Sequence, residues 1–213
     1  RGVCPECGTP IRATILARVD PQARELQPLY TPKLTAGCLV VWAISALAAA
    51  VAAWVPRVIE GLNRLDYDLH QPDWPGIAVL VCAGASGASS LVLVRPHGRI
   101  PAWQSWSALA AALAYVPLLL IIARIHGVLD ARNPSPYLGV GGIDAARAAW
   151  RLAADVAMLA ILVGLRTNAR VLAARSFVLR TGQVDRQTML AMAAAVGVCA
   201  IGDLLAIAGA GIG

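Results

Sequence analysis

The sequence predicts an all-α membrane protein, a bundle of five transmembrane helices preceded by one half of a zinc ribbon. Hydrophobic residues make up 58% of the 213 residues and charged residues only 14%, and the mean hydropathy of +0.66 is too high for a soluble domain. Five apolar stretches are each long enough to cross a hydrocarbon core of roughly 30 Å as a helix. A Cys-Pro-x-Cys-Gly string near the amino terminus predicts the metal-binding part.

The predicted organisation is a partial zinc-ribbon knuckle at 1–10, an amphipathic cytoplasmic linker at 11–33 and a transmembrane domain at 34–213. The five predicted spans cover residues 34–55, 77–94, 106–123, 148–165 and 189–212.

Local signals support several of the span boundaries. Thr31 and Pro32 are typical of a helix start, and Pro56 is expected to close the first helix. Asp144 is expected to cap the start of the fourth helix. Pro117 lies inside the third span and should kink it or loosen one turn, a defect that neighbouring helices can cover.

Cys4 and Cys7 are the candidate metal ligands. In a Cys-Pro-x-Cys-Gly knuckle the backbone N–H groups point at the sulfurs, and Gly8 is free to take the positive φ that closes the turn. A structural zinc site needs four ligands, so these two thiolates supply half of one. A redox dithiol and a chance occurrence are the alternatives. The other cysteines fall inside the predicted spans and cannot join the site; they are Cys38, Cys82 and Cys199.

The chain combines the string RGVCPECGTPI, a following link with ARVDP at 17–21, Ala/Leu-rich spans and an Arg-rich stretch before the last span. In these features it resembles zinc-ribbon membrane proteins of planctomycete-type bacteria. The resemblance implies a first knuckle, Cys-x-x-Cys-Gly-Tyr, upstream of Arg1, with Arg1 and Gly2 in the connector between the knuckles. Zinc is therefore expected as a cofactor only if that upstream pair is present. The resemblance implies no particular substrate.

The distribution of basic residues predicts the orientation. The amino-terminal side of the bundle collects twelve of the eighteen Lys and Arg residues, including Arg166, Arg170, Arg175, Arg180 and Arg186 before the last span. The positive-inside rule then places the amino terminus in the cytoplasm and, after five crossings, the carboxyl terminus outside. We expect a multi-pass protein of the bacterial inner membrane. Because the cytoplasm is reducing, Cys4 and Cys7 are expected to bind metal rather than form a disulfide.

Two carboxylates inside the spans form a candidate polar site. Asp155 lies four residues after Arg151, so the two side chains can face each other along the fourth helix. Asp203 has no intrahelical cation within reach, and it must be protonated, face a polar crevice or bond to another helix near Arg151. A proton or cation relay through Asp203 and Asp155 is the functional alternative to this structural pairing.

The second span contains an unbroken run of small residues at 83–90. The spacings Ala83/Gly87 and Gly84/Ala88 allow close helix contact, either inside the bundle or in a homo-oligomer. Pore lining by the serines of this run is the less favoured interpretation. In the external loops, the acidic residues of 66–73 with His70 and His126 are expected to follow from orientation rather than to form a divalent-ion site.

The remaining patterns separate two functional classes. The basic segment 166–186 is expected to determine topology, with docking to anionic lipid or protein as the alternative, and no nucleic-acid binding is expected. No catalytic motif is apparent, so no enzyme is predicted. The first hypothesis is a non-enzymatic anchor in the lipid bilayer whose zinc ribbon docks a cytoplasmic protein. The second is a small transporter or ion-coupled protein that uses Asp203 and Asp155.

Overall fold

The computed structural model describes residues 29–98, 100–132, 144–173 and 188–210, and in these ranges the regular secondary structure is helical. Five helical stretches are long and apolar enough to cross a membrane, namely Pro32–Asn63, Trp74–Leu93, Ala102–Arg132, Ala145–Ala169 and Ala191–Gly209. These helices confirm the prediction of an all-helical, five-span chain. By the length and composition of its helices, the chain is a multi-pass membrane protein. The zinc knuckle and most of the linker lie outside the described residues.

The first helix, α1 (Pro32–Asn63), begins as predicted, with Thr31 at the N-cap and Pro32 at its first position. The expectation that Pro56 closes it is wrong, because the helix continues to Asn63. A proline removes a single backbone hydrogen bond, and inside a bundle other groups can satisfy the freed carbonyls. The Arg57 guanidinium donates to the carbonyl of Ala53 in this turn, and the buried ring of Pro56 packs inside the bundle.

The second and third spans each depart from regular α-helix at one point. Helix α2 (Trp74–Ser90) passes into a 3₁₀ turn at Leu91–Leu93. The third span consists of α3 (Ala102–Leu113) and α4 (Tyr115–Arg124), separated at Ala114. This break lies next to the carbonyl of Leu113, which the missing N–H of Pro117 leaves without its usual donor, so the predicted defect is present.

The carboxyl-terminal end of the third span widens before the chain leaves the helix. One π-helical turn at Ile125–Leu129 leads into the short helix α5 (Asp130–Arg132). A π turn shifts the side chains that follow it relative to α-helical register, and such turns often occur where polar groups are positioned. Here the turn contains His126 and directly precedes Asp130.

The last two helices are α6 (Ala145–Ala173) and α7 (Thr188–Ala210). The predicted cap of α6 is confirmed, because the Asp144 carboxylate accepts hydrogen bonds from the backbone N–H groups of Ala146 at 3.0 Å and Arg147 at 3.2 Å. Helix α6 runs to Ala173, beyond the apolar span that ends at Ala169. The rest of the basic segment, 174–187, lies outside the described residues.

The helices pack in the order in which the chain visits them. Helix α1 lies on α2, α2 contacts α4, both halves of the third span pack on α6, and α6 carries α7. The main core forms where the third span meets α6; its buried members are Leu93, Ala108, Ala111, Tyr115, Leu118, Ala154, Ile161 and Leu165. In each of the terminal helices α1 and α7, only 11% of the apolar membrane-spanning stretch is buried inside the bundle. Most of the apolar surface of these two helices therefore faces outward, as suits helices in contact with lipid.

Two glycines allow the closest helix contacts. A Cβ atom at Gly87 would lie 2.8 Å from Cγ of Tyr115, and one at Gly164 would lie 2.6 Å from Cβ of Ala111 and 3.1 Å from the backbone carbonyl of Ser107. Of the two small-residue spacings predicted on α2, Ala83 and Gly87 are therefore used inside the bundle, where both are buried. Gly84 has no atom within 4 Å of an added Cβ.

Gly87→Ala is expected to destabilise the protein by about 1 to 3 kcal/mol, because the new methyl group must displace the ring of Tyr115. The matched control is Gly84→Ala on the same helix, which meets open space and is expected to be neutral or slightly stabilising. Thermal unfolding of both variants in detergent makes the comparison. Equal unfolding temperatures for the two variants would contradict the packing of α2 against α4.

Candidate functional site

Polar side chains inside the bundle form separate clusters, and each cluster joins helices that are neighbours. In hydrocarbon a polar group has no water to bond to, so an unpartnered group costs several kcal/mol. Such side chains therefore mark either the contacts that hold the helices together or a site that binds something.

The first cluster joins α1, α2 and α4 through a tyrosine hydroxyl. The indole N–H of Trp42 donates to the Tyr115 hydroxyl at 2.9 Å, and the Ser86 hydroxyl lies 3.1 Å from the same oxygen. The Ser86 hydroxyl also approaches the backbone carbonyl of Trp42 at 3.4 Å. Gly87 provides the space for the Tyr115 ring directly beside Ser86. The hydrogen bonds of this cluster hold α1, α2 and α4 together.

The other serines of α2 bond to their own helix. Ser89 donates to the carbonyls of Ala85 at 2.8 Å and Ser86 at 3.0 Å, and Ser90 donates to the carbonyl of Gly87 at 2.7 Å. The hydroxyls of Ser86, Ser89 and Ser90, which a pore lining would use, are thus occupied by protein contacts. Ser86 and Ser90 are also almost fully buried.

The second cluster lies at the end of the bundle that is predicted to be outside. Asp130 accepts from Nε of Arg147 at 2.7 Å, and its other oxygen lies 2.9 Å from Nδ1 of His126. The side chains of Asp130 and Arg147 are only 10% and 6% exposed, so this is a buried ion pair between the third span and α6. The π turn places His126 and Asp130 on the same side, and an added Cβ at Gly76 of α2 would lie 3.0 Å from Cβ of His126.

The third cluster joins α6 to α7 and contains the three residues that the sequence singles out. Arg151 forms an ion pair with Asp203, with 3.2 Å between the guanidinium nitrogen and Oδ1. Asp155 lies one turn after Arg151 on α6, and its carboxyl group lies near both Asp203 and Arg151. The structure therefore brings Arg151, Asp155 and Asp203 together, with the direct contact of Arg151 made across helices.

The electrostatics of this third cluster are unbalanced. Asp155 and Asp203 are 6% and 4% exposed, and each has a buried carboxyl oxygen, Oδ2, with no hydrogen-bond partner. Arg151 is the nearest cation, and its side chain is 39% exposed. One guanidinium thus faces two buried carboxyl groups. A net negative charge at this depth is costly, which distinguishes this cluster chemically from the balanced pair of Asp130 and Arg147.

A further polar contact lies at the opposite, predicted cytoplasmic end. Asn168 of α6 is completely buried and donates to the backbone carbonyls of Leu93 at 2.7 Å and Val94 at 3.3 Å. These carbonyls lie at the end of the 3₁₀ turn, where no further backbone N–H of the helix follows to bond to them. Asn168 therefore fixes the end of the second span to α6.

Other predicted site residues are not brought together by the described structure. Cys4 and Cys7 lie outside the described residues. Cys38, Cys82 and Cys199 are free thiols. Within the described ranges, no group of three or more His, Cys, Asp or Glu side chains is arranged to hold a metal ion. His126 belongs to the end of the third span rather than to an external loop.

Sequence reasoning missed two of the clusters. His126 and Asp130 are four residues apart, and that spacing could have indicated a pair on one helix. Their link to Arg147 depends on which helices are neighbours, and no local spacing gives that information. The contact of Trp42 with Tyr115 is equally remote in sequence.

Comparisons of the chain with family models, with curated proteins and with solved structures find no match. The assignment of function therefore depends on the chemistry of these residues.

Asp130→Ala is expected to lower the free energy of unfolding by about 3 kcal/mol, because the buried Arg147 loses its nearest carboxylate. Asp68→Ala, an exposed loop substitution, is the matched control and should unfold like the parent protein. If both variants unfold alike in detergent, the Asp130 cluster does not hold the third span to α6.

Proposed function

We propose that the protein is a non-enzymatic, multi-pass anchor of the bacterial inner membrane that presents a zinc ribbon to a partner protein in the cytoplasm. The observation that best supports an anchoring role is that several polar side chains within the bundle bond to an adjacent helix. Trp42 and Ser86 meet at Tyr115, Arg147 meets Asp130, and Asn168 binds the turn after α2. Polar groups used in this way stabilise a scaffold.

The placement of the ribbon follows from the charge distribution. The basic residues favour a cytoplasmic amino terminus, and α1 begins at Pro32 on that side. The linker 11–33 then separates the knuckle of Cys4 and Cys7 from the membrane. With a second cysteine pair supplied upstream, the four thiolates would form a closed tetrahedral site, which is typical of a structural zinc module that folds only around its metal.

The test is the zinc content of the protein expressed together with the residues that precede Arg1. We expect bound zinc in the parent protein, and loss of most of it in Cys4→Ser and Cys7→Ser, because three thiolates hold zinc less tightly than four. Cys38→Ser is the matched control, since Cys38 belongs to α1, and it should retain the metal. Zinc that is absent, or unaffected by the substitutions at Cys4 and Cys7, would contradict the proposal.

Docking is tested by recovering bound proteins from cells with the parent protein and with a variant that lacks residues 1–10. A cytoplasmic protein that is recovered with the parent and lost with the deletion would support a docking ribbon. If every bound protein stays with the deletion variant, the docking role is wrong even where zinc is present.

A small transporter or ion-coupled protein is the second candidate, and the unbalanced cluster of Arg151, Asp155 and Asp203 is the observation that favours it. Buried ionisable residues in membrane helices often lie on ion or proton pathways. If proton or cation flux in proteoliposomes is detectable and Asp203→Asn leaves it unchanged at equal expression, this candidate is eliminated.

A further inference from the structure

We propose that Asp155 and Asp203 together bind one proton, forming a hydrogen-bonded carboxyl–carboxylate pair beside Arg151. This proton site goes beyond the anchoring function. It also requires no transport, because a proton can be held at rest between the two helices.

The charges of the cluster require a counter-charge. Two ionised carboxylates and one guanidinium leave a net negative charge among side chains that are 6% and 4% exposed. Two carboxylates that share one buried site cannot both ionise without a strong mutual repulsion. A single bound proton makes the cluster electrically neutral, since one carboxylate then remains to balance Arg151.

The arrangement of atoms also leaves a place for the proton. Arg151 contacts Oδ1 of Asp203, whereas Oδ2 of Asp203 and Oδ2 of Asp155 are buried and have no hydrogen-bond partner. The two carboxyl groups are close enough to act on each other, so in our proposal the protonated one donates a hydrogen bond to the other. The proton then supplies the donor that this pair of acceptors lacks, so it removes an unsatisfied polar group and a surplus charge together.

The surrounding elements carry other charged groups, and these are engaged elsewhere, exposed or distant along the helix. Arg166 and Arg170 lie about three turns or more beyond Asp155 on α6. On α6, Arg147 is paired with Asp130, which also contacts His126. On α4, Arg124 is exposed. Asp203 is the only charged residue in the sequence of α7. Within the described residues, the charged groups that act on Asp155 are therefore Asp203 and Arg151.

In our proposal the proton reaches the pair past Arg151, the member of the cluster that is not buried. Arg151 keeps 39% of its side chain exposed while its guanidinium touches Asp203. When the pair takes up a proton, an O–H bond forms on one carboxylate and the donor water or hydronium keeps the bonding electrons. No other bond is made or broken.

The experiment is infrared difference spectroscopy of the full chain in lipid vesicles, recording the C=O stretch of protonated carboxyl groups at neutral pH with exchange into D₂O. The parent protein should show this band. Asp155→Asn and Asp203→Asn should each abolish it, because the remaining carboxylate then balances Arg151 alone. Arg151→Gln should strengthen it, because both carboxyl groups then need a proton. Asp68→Asn, the exposed control, should leave it unchanged.

The two Asn variants act on different helices, so a folding defect in one leaves the other as a test. A parent protein without a protonated carboxyl band at neutral pH would overturn the proposal. A band that survives both Asn substitutions would also overturn it. The zinc measurement above is independent of this result, so failure of the proton site and failure of the zinc ribbon can be told apart.

Discussion

The ion pair between Arg151 and Asp203 is the interaction on which the last part of the bundle depends. Helix α7 packs mainly on α6 in the described part of the chain, and its apolar residues offer lipid-like surfaces that gain little from helix contact. Asp203 cannot face lipid without a large cost, and its charge is met by an arginine on α6. This requirement fixes both the rotation of α7 and its position along α6.

The same constraint explains why the other polar clusters lie where they do. Several helices of the bundle bring a group that hydrocarbon cannot satisfy, and a neighbouring element supplies the partner: Tyr115 for Trp42, Asp130 for Arg147, and the turn after α2 for Asn168. Successive turns of α6 carry Arg147, which binds Asp130 at the end of the third span, and Arg151, which binds Asp203 of α7. Helix α6 is thus the central element that joins the third span to α7.

Much of this fold could be predicted from the sequence, because span length, apolar content and helix-start signals are local properties. The Asp144 cap and the defect near Pro117 are of this kind. Pro56 did not mark the end of α1, since a proline inside a packed membrane helix removes one bond without ending the helix. The contacts that define the clusters join residues far apart in the chain. Asp203 and the small-residue spacing of Ala83 and Gly87 did point beyond their own helices, because a carboxylate without a local cation must find a remote one and a small-residue face allows close helix contact.

A double-mutant cycle on Arg151 and Asp203 tests this account most directly, with unfolding free energies measured for Arg151→Gln, Asp203→Asn and the double variant. Our account predicts strong non-additivity, with a coupling energy of about 1 kcal/mol or more, because each single substitution already removes the ion pair. If the two losses instead add, then Arg151 does not hold Asp203, and α7 is fixed to α6 by some other contact.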